Sequence, residues 1–237
     1  MAKFCTKCGS ELKNGKCPNC KEEKNKKEEV VTTSNNEIVA NLLEVVKGTF
    51  TNPIETVKAY ATSANFVLAL ILMAICAASA GIFIYVFVDE FMNTVGGLFG
   101  LGSLMSYGGK PEIPFGEVFI RIFLYIAVYQ VVVAAMMLLM NKTVFKEETD
   151  IKETISIVGI TSVGMACAFL VGAILFKIKF VLGVVMALVG MIFSTIVLTA
   201  GSMETLSLKK DKMVYSLLAS ISVGLFVILY VLPKLFN

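Results

Sequence analysis

Long apolar stretches alternate with short polar segments over most of the chain. A helix needs about 20 predominantly apolar residues to cross a hydrocarbon core of about 30 Å. Five stretches reach that length, which predicts an all-α polytopic membrane helix bundle, with five transmembrane helices within residues 66–237. The predicted spans are residues 66–88, 118–140, 155–176, 180–200 and 213–232.

The composition indicates a membrane protein and excludes a water-soluble globular enzyme. Hydrophobic residues make up 57% of the 237 residues, charged residues make up only 16%, and the mean hydropathy is +0.80. Histidine is absent, which excludes Ser/His/Asp and Cys/His triads, histidine-ligated metals and histidine proton relays. Since no paired acid and no nucleophile beside a base can be identified either, we expect no catalytic residue.

Residues 37–65, just before the first predicted span, show the periodicity of amphipathic helices. A second helix is predicted to begin with Asn52 as its N-cap and Pro53 in its first position. We predict that both helices lie on the membrane or on the bundle, and a groove for a protein partner is the alternative. The predicted apolar faces are Ile38, Val39, Leu42, Leu43, Val46 and Phe50 in the first helix, and Ile54, Val57, Tyr60 and Ala61 in the second.

Four cysteines lie within the first 20 residues, namely Cys5, Cys8, Cys17 and Cys20. Two Cys-x2-Cys pairs separated by eight residues can place four thiolates in a tetrahedron, which is the geometry of a closed structural zinc site. Gly9 and Gly15 suit the turns that this arrangement requires. Residues 1–21 contain almost no other apolar side chains, so metal binding would supply the folding free energy. The pattern predicts a small N-terminal zinc ribbon with one structural zinc ion.

Two other interpretations of these cysteines stay open, namely a pair of disulfide bonds and a rubredoxin-like iron site. Disulfides need an oxidising compartment, and no apolar run that could act as a signal peptide precedes residue 37. Lysines such as Lys3, Lys7, Lys13 and Lys16 make the ribbon mildly basic, but a module with no arginine and one aromatic residue is poorly suited to nucleic acid. Residues 22–36 mix charges of both signs with small polar residues, which predicts a flexible charged linker.

The distribution of Lys and Arg predicts the orientation of the bundle. Segments on one side carry 16 of these residues, including 10 lysines within residues 1–65, and segments on the other side carry 5. The positive-inside rule therefore places the N-terminus in the cytoplasm and the C-terminus outside, in the plasma membrane. Reduced thiolates require the same orientation. Loop 89–117, whose middle contains six glycines, is predicted to lie in the outer interface or to form a re-entrant segment.

Few polar residues lie inside the predicted spans. Arg121 follows Glu117 by four residues, so it can pair with that carboxylate or extend to the membrane surface. Tyr129 and Gln130, in the middle of span two, are predicted to hydrogen-bond a neighbouring helix. The lone cysteines of spans one and three are expected to be inert thiols.

Small residues recur every four positions in three spans, so each set lies on one helical face where backbones can approach closely. We predict that these faces pack within the bundle, and dimerisation through one of them is the alternative. The sets are Gly164, Ala168 and Gly172 in span three, Gly183 and Ala187 in span four, and Ser216, Ser220 and Gly224 in span five.

Both parts of the chain resemble known families. The N-terminal module resembles the zinc ribbons of many bacterial membrane proteins, with Gly9 after the first cysteine pair and Pro18 inside the second. From about residue 46 onward, the chain resembles bacterial members of the Yip family of five-span proteins, through VKGTFTNPIETVKAYAT before span one and closely spaced spans three to five. The resemblance implies four zinc ligands and a five-span topology. The Rab binding of eukaryotic members does not carry over, because no GTPase contact is identifiable here.

Two functional hypotheses follow from this organisation. The first is a membrane adaptor or scaffold, whose cytosolic zinc ribbon binds a protein partner while the body contacts membrane lipid. The second is a transporter or channel for an uncharged or lipidic substrate, regulated by the ribbon. The scarcity of charge inside the spans favours the adaptor, and the glycine-rich outer loop is the feature that favours the transporter.

Overall fold

The computed structural model describes residues 35–98, 114–146, 148–206 and 210–235. Within these ranges the regular secondary structure is entirely helical, as the sequence predicts. The predicted zinc ribbon, nearly all of the predicted linker and the middle of loop 89–117 lie outside the described residues. Residues Ile38–Asn237 form one compact unit.

Two short helices precede the bundle. Helix α1 spans Asn35–Thr51 and helix α2 spans Pro53–Tyr60. Proline occupies the first position of α2. It has no backbone N–H, but an N–H at this position would make no hydrogen bond within the helix, so no bond is lost. The Asn52 side chain makes no capping hydrogen bond. Instead, the Thr56 N–H and hydroxyl donate to the Asn52 carbonyl oxygen at 3.0 and 2.8 Å.

Five helices in the described ranges are long and apolar enough to cross a membrane, which confirms the predicted number of spans. The protein is therefore a multi-pass membrane protein. A π-helical turn at Met140–Val144 continues the second of these helices, and another at Val227–Val231 continues the fifth. The spanning helices are α3 Phe66–Leu98, α4 Phe115–Leu139, α5 Ile151–Phe176, α6 Phe180–Thr205 and α7 Lys210–Phe226.

Helix α3 continues beyond the predicted end of span one. The hydropathy pattern predicts an end at residue 88, before Asp89 and Glu90, whereas α3 runs to Leu98. The Nζ atom of Lys177, just after α5, lies 2.6 Å from Glu90 Oε1 and 3.5 Å from Asp89 Oδ2. Because the acidic residues are paired across helices, the helix can carry them past the predicted boundary.

Helix α5 is the central helix of the bundle. It packs most extensively against α3 and α6. Of its most apolar 18-residue segment, 72% is buried inside the protein. A Cβ added to Gly159 of α5 would lie 2.5 Å from the carbonyl oxygen of Ala69 in α3. A Cβ added to Gly190 of α6 would lie 2.1 Å from the Cβ of Ala168 in α5. Small residues therefore pack within the bundle, as the four-residue spacing predicts.

Two apolar clusters lie at opposite ends of the bundle. At the end where α2 lies, here called the α2 end, the buried side chains are mostly aliphatic. They include Val57, Leu72, Met137, Ile157 and Met213. At the opposite end phenylalanines dominate, and the ring centroid of Phe83 lies 5.0 Å from that of Phe169 and 5.1 Å from that of Phe176. Aromatic rings with centroids at these separations attract each other favourably.

Candidate functional site

The predicted zinc ligands Cys5, Cys8, Cys17 and Cys20 lie outside the described residues, so the metal site stays a prediction. Four soft thiolates are a donor set that suits zinc. Within the ranges that the structure describes, no group of three or more Cys, Asp and Glu side chains could hold a metal ion. Cys76 and Cys167 are free thiols in the spans, the first buried and the second half-buried.

Helices α1 and α2, here called the juxtamembrane pair, dock on the bundle through buried side chains. Val45 and Thr49 of α1 and Val57 of α2 are at most 2% exposed. Val57 packs against Gly201 near the end of α6, where an added Cβ would lie 2.7 Å from Val57 Cγ1. Because this contact needs a glycine, the juxtamembrane pair fits closely against the bundle.

The predicted apolar face of α1 divides between the bundle and the surface. Three of its members pack against the core at the α2 end, namely Ile38, Leu42 and Val46. The other three are more than half exposed, namely Val39 at 58%, Leu43 at 64% and Phe50 at 58%. Val45, which the predicted face omits, is fully buried. The ring of Phe50 still stacks on Phe193 of α6, with centroids 6.0 Å apart, whereas Val39 and Leu43 form an apolar strip of the kind that interfacial helices bury among lipid headgroups.

A polar contact closes the juxtamembrane pair. Tyr60 of α2 hydrogen-bonds Glu44 of α1, and burial together with this bond and the negative charge of Glu44 raises the pKa of Tyr60 to about 12. The protonated phenol donates to the carboxylate. The two helices meet closely at Gly48, where an added Cβ would clash with the hydroxyl of Thr56.

Several charged side chains at the end of the bundle opposite the α2 end form ion pairs. Arg121 Nη2 lies 2.7 Å from Glu117 Oε1, which is one of the two arrangements that the sequence predicts for Arg121. Lys177 Nζ donates to Glu90 at 2.6 Å, and this bond and the charges of Glu90 and Asp89 raise the pKa of Lys177. Lys177 is one of the few cations on the predicted outer side, and its charge is balanced there by carboxylates.

Polar side chains inside the spans differ from the prediction. Gln130 is 2% exposed, but neither its Nε2 nor its Oε1 has a hydrogen-bond partner in the described part of the chain. Tyr129 packs its ring over Gly224 of α7. A hydrogen bond between spans is found elsewhere, where the Ser216 hydroxyl donates to Asn141 Oδ1 at 3.0 Å. Sequence reasoning missed this bond, although an asparagine directly after an apolar span was a usable signal.

Comparisons with known proteins connect this architecture to one family. A family model described as the Yip1 domain matches residues 47–232. No curated protein and no solved structure matches the chain. The four N-terminal cysteines lie outside the matched segment, which begins within α1 and reaches all five spanning helices. Because the match covers well over half of the 237 residues, the chain belongs to the Yip1 domain family.

Proposed function

We propose that this protein is a non-catalytic integral membrane adaptor or scaffold of the plasma membrane. The ribbon of residues 1–21 faces the cytoplasm, holds one zinc ion and binds a protein partner. The five-helix body fixes the position of the ribbon. Membership of the Yip1 family and five spanning helices are consistent with a scaffold role in a membrane.

The observation that carries this proposal is the docking of the juxtamembrane pair. Because Val45, Thr49 and Val57 are buried against the bundle, the chain is anchored from the middle of α1 onward. Residues 22–34 connect this anchor to the ribbon, and a flexible chain of that length has an end-to-end distance of about 20 Å. A partner bound to the ribbon would therefore be kept close to the membrane surface.

Zinc has a structural role in this proposal. A site closed by four thiolates leaves no open position for a substrate or a reactive water. The metal instead supplies folding free energy to a module that lacks an apolar core. The residues assigned to it are the two pairs Cys5 with Cys8 and Cys17 with Cys20.

The placement of charge favours a scaffold over an ion carrier. Within the five described spans, Asp, Glu, Lys and Arg lie only near the ends, as Glu117, Arg121 and Glu204 do. Ion and proton pathways usually require ionisable groups deep in the membrane. The bundle offers none at that depth within the described spans.

The proposed orientation follows from the excess of Lys and Arg on the side of the N-terminus. The cytoplasmic side is also where zinc-binding thiolates stay reduced.

The proposal is tested by metal content and crosslinking of the full-length protein. Purified protein should carry about one zinc ion per chain. Cys5→Ser should remove that zinc, because three thiolates no longer close the tetrahedron. Crosslinking in native membranes, followed by purification, should attach a cytosolic protein to residues 1–34 of the wild type. The same adduct should be lost from the Cys5→Ser protein.

The lone cysteines of the spans provide matched controls. Cys76→Ser and Cys167→Ser make the same chemical change outside the ribbon, so both variants should keep the zinc and the adduct. Full zinc occupancy in a variant that lacks all four N-terminal cysteines would refute the metal assignment. An adduct that persists in that variant would refute the role of the ribbon in binding.

A further inference from the structure

A cavity of about 320 Å³ lies among helices α4, α5, α6 and α7 in the middle of the bundle. This volume is at the small end of the range for ligand pockets, and it equals that of about ten molecules of liquid water. The walls are mostly apolar. They include Ile126, Met165, Phe169, Leu198 and Ile221.

The polar group of this cavity that lacks a partner is the amide of Gln130. It is 2% exposed, and neither amide atom makes a hydrogen bond within the described residues. The thiol of Cys76 lies close to the amide, and a thiol is a weak donor and acceptor. The amide therefore presents unused donors and an unused acceptor to the cavity.

The hydroxyl groups of Thr161, Ser162 and Ser194, which line the cavity, already donate their protons to backbone carbonyls, so none of the three donates to the amide oxygen of Gln130. The Ser162 hydroxyl donates to the Gly159 carbonyl at 2.7 Å, and the Ser194 hydroxyl donates to the Thr161 carbonyl at 2.7 Å. The Thr161 hydroxyl donates to its own helix at 2.8 Å. An amide left alone in an apolar cavity is unfavourable, so its hydrogen-bonding capacity indicates a ligand with a matching polar group.

The position of the cavity defines what can enter it. Met191 of α6 and Leu225 of α7 line it and are 41% and 47% exposed on the lipid-facing side of the bundle. A molecule dissolved in the bilayer can therefore reach the cavity between these helices. Among the described residues no charged side chain lines it, so an ionised ligand would be uncompensated.

Depth excludes the headgroup of a phospholipid. Gln130 is near the middle of the span Phe115–Val144, about half a hydrocarbon thickness from either surface. The polar group of the ligand must therefore lie near the bilayer centre. A molecule small enough to lie entirely inside the cavity can place it there.

We infer that this cavity binds a small uncharged amphiphile from the bilayer, with an apolar body against the walls and one hydroxyl or amide group hydrogen-bonded to Gln130. The site would be independent of the zinc ribbon, since it lies wholly between spanning helices. It gives the bundle a function beyond holding the ribbon.

The test uses two photoreactive probes with the full-length protein in phosphatidylcholine vesicles. One probe is octanol that carries a diazirine, and the other is octane that carries the same group. Mass spectrometry locates the labelled residues. The alcohol should label the cavity-lining segments of α5 and α6 about fivefold more than the alkane, which is the effect of one net hydrogen bond. Unlabelled octanol should compete with it.

Two variants separate the hydrogen bond from the cavity. Gln130→Leu keeps the size of the side chain but removes the amide, so both probes should then label equally. Ile221→Trp fills the space, so labelling by both should fall. Thr199→Val is the matched control, because it removes a hydroxyl bonded within its own helix. It should leave the fivefold preference unchanged.

The melting temperature of each variant shows that the bundle stays folded. Gln130→Leu should not lower it, because the substitution removes a buried polar group that has no partner. Equal labelling of the wild type by alcohol and alkane would overturn the inference. So would an alcohol preference that survives Gln130→Leu, or an absence of label from the cavity walls.

Discussion

Helices α5 and α7 are both apolar enough to span a membrane, yet they occupy different places in the bundle. Of the most apolar 18-residue segment of each span, 72% is buried in the span formed by α5, whereas 22% is buried in the span that contains α7. Helix α7 and the π-helical turn that continues it expose large side chains such as Leu218 and Leu229, at 63% and 74%. The apolar character that places both helices in lipid therefore does not decide which one becomes central.

The difference lies in how closely backbones can approach. Lipid chains are as apolar as leucine, so burial alone gives little drive for helices to associate. Gly159 of α5 allows direct contact with the backbone of α3. Helix α7 instead meets α4 through the ring of Tyr129 over Gly224, and it meets the π-helical turn after α4 through the Asn141–Ser216 hydrogen bond. The central helix is held by backbone contact and the peripheral helix by side chains.

The largest expected effect comes from matched glycine substitutions in these two helices. In Gly159→Ala the new methyl group would meet the Ala69 carbonyl oxygen at 2.5 Å, and a backbone atom cannot move without separating two helices. In Gly224→Ala it would meet ring atoms of Tyr129 at 2.7 Å, and a side chain can turn away. We expect Gly159→Ala to lower the free energy of unfolding by about 2 kcal/mol more than Gly224→Ala.

Unfolding in mixed detergent micelles measures this difference. The intrinsic preference of alanine for helices is the same at both positions, so subtracting the two values isolates the contact. Leu218→Ala is a control on the lipid-facing side of α7, and it should change the free energy of unfolding little. Equal losses at Gly159 and Gly224 would show that backbone contact does not distinguish the central helix.

The sequence predicts part of this arrangement and cannot predict the rest. The five spans can be predicted because length and hydropathy are properties of a single stretch of sequence. The Arg121–Glu117 pair can be predicted as well, because its two residues are four positions apart on one helix. The four-residue spacing of small residues appears in spans three, four and five alike. This spacing therefore indicates close packing, but it cannot show which helix is the most buried. Burial depends on which neighbouring helix each face meets.

The misplaced polar predictions have a similar cause. Gln130 was expected to bond a neighbouring helix, but the facing hydroxyls donate to backbone carbonyls instead. Helix α3 continues past residue 88, where the predicted span ends, and Lys177, which pairs with Glu90 there, is distant in sequence. The four N-terminal cysteines are a strong local pattern, and they lie outside the described residues.

The second expected effect concerns the side-chain contact that holds α7. Ser216→Ala removes the donor to Asn141 Oδ1 and leaves a fully buried amide oxygen without that bond. We expect a loss of about 1 kcal/mol in the free energy of unfolding, because hydrogen bonds between membrane helices average about 0.6 kcal/mol and an unpaired acceptor adds to the cost.

Ser220→Ala is the matched control for this bond. Ser220 is equally buried on the same helix, but its hydroxyl donates to the Ser216 carbonyl within α7 at 2.6 Å. Losing a bond inside one helix should cost less than losing a bond between two. If Ser220→Ala destabilises the protein as much as Ser216→Ala, the contact between α4 and α7 does not hold the peripheral helix.

The smallest expected effect concerns the start of α5, where polar groups attach the central helix to the segment before α3. The Ser63 hydroxyl donates to Asp150, the N-cap residue of α5, and this bond holds the pKa of Asp150 below its ordinary value. A lowered pKa stabilises the folded state above the unfolded pKa of about 3.9. The contribution is lost as pH falls through the lower folded pKa.

We therefore expect Ser63→Ala to lower the free energy of unfolding by less than about 1 kcal/mol at pH 7, since both groups are exposed to solvent. At pH 3 and below, the difference from the wild type should shrink, because Asp150 is then protonated in the unfolded state and increasingly in the folded state. Thr51→Ala removes another exposed hydroxyl, which bonds within α1, and its effect should not depend on pH. A Ser63→Ala difference that stays constant from pH 7 to pH 2 would show that the charge of Asp150 does not help to hold α5 in place.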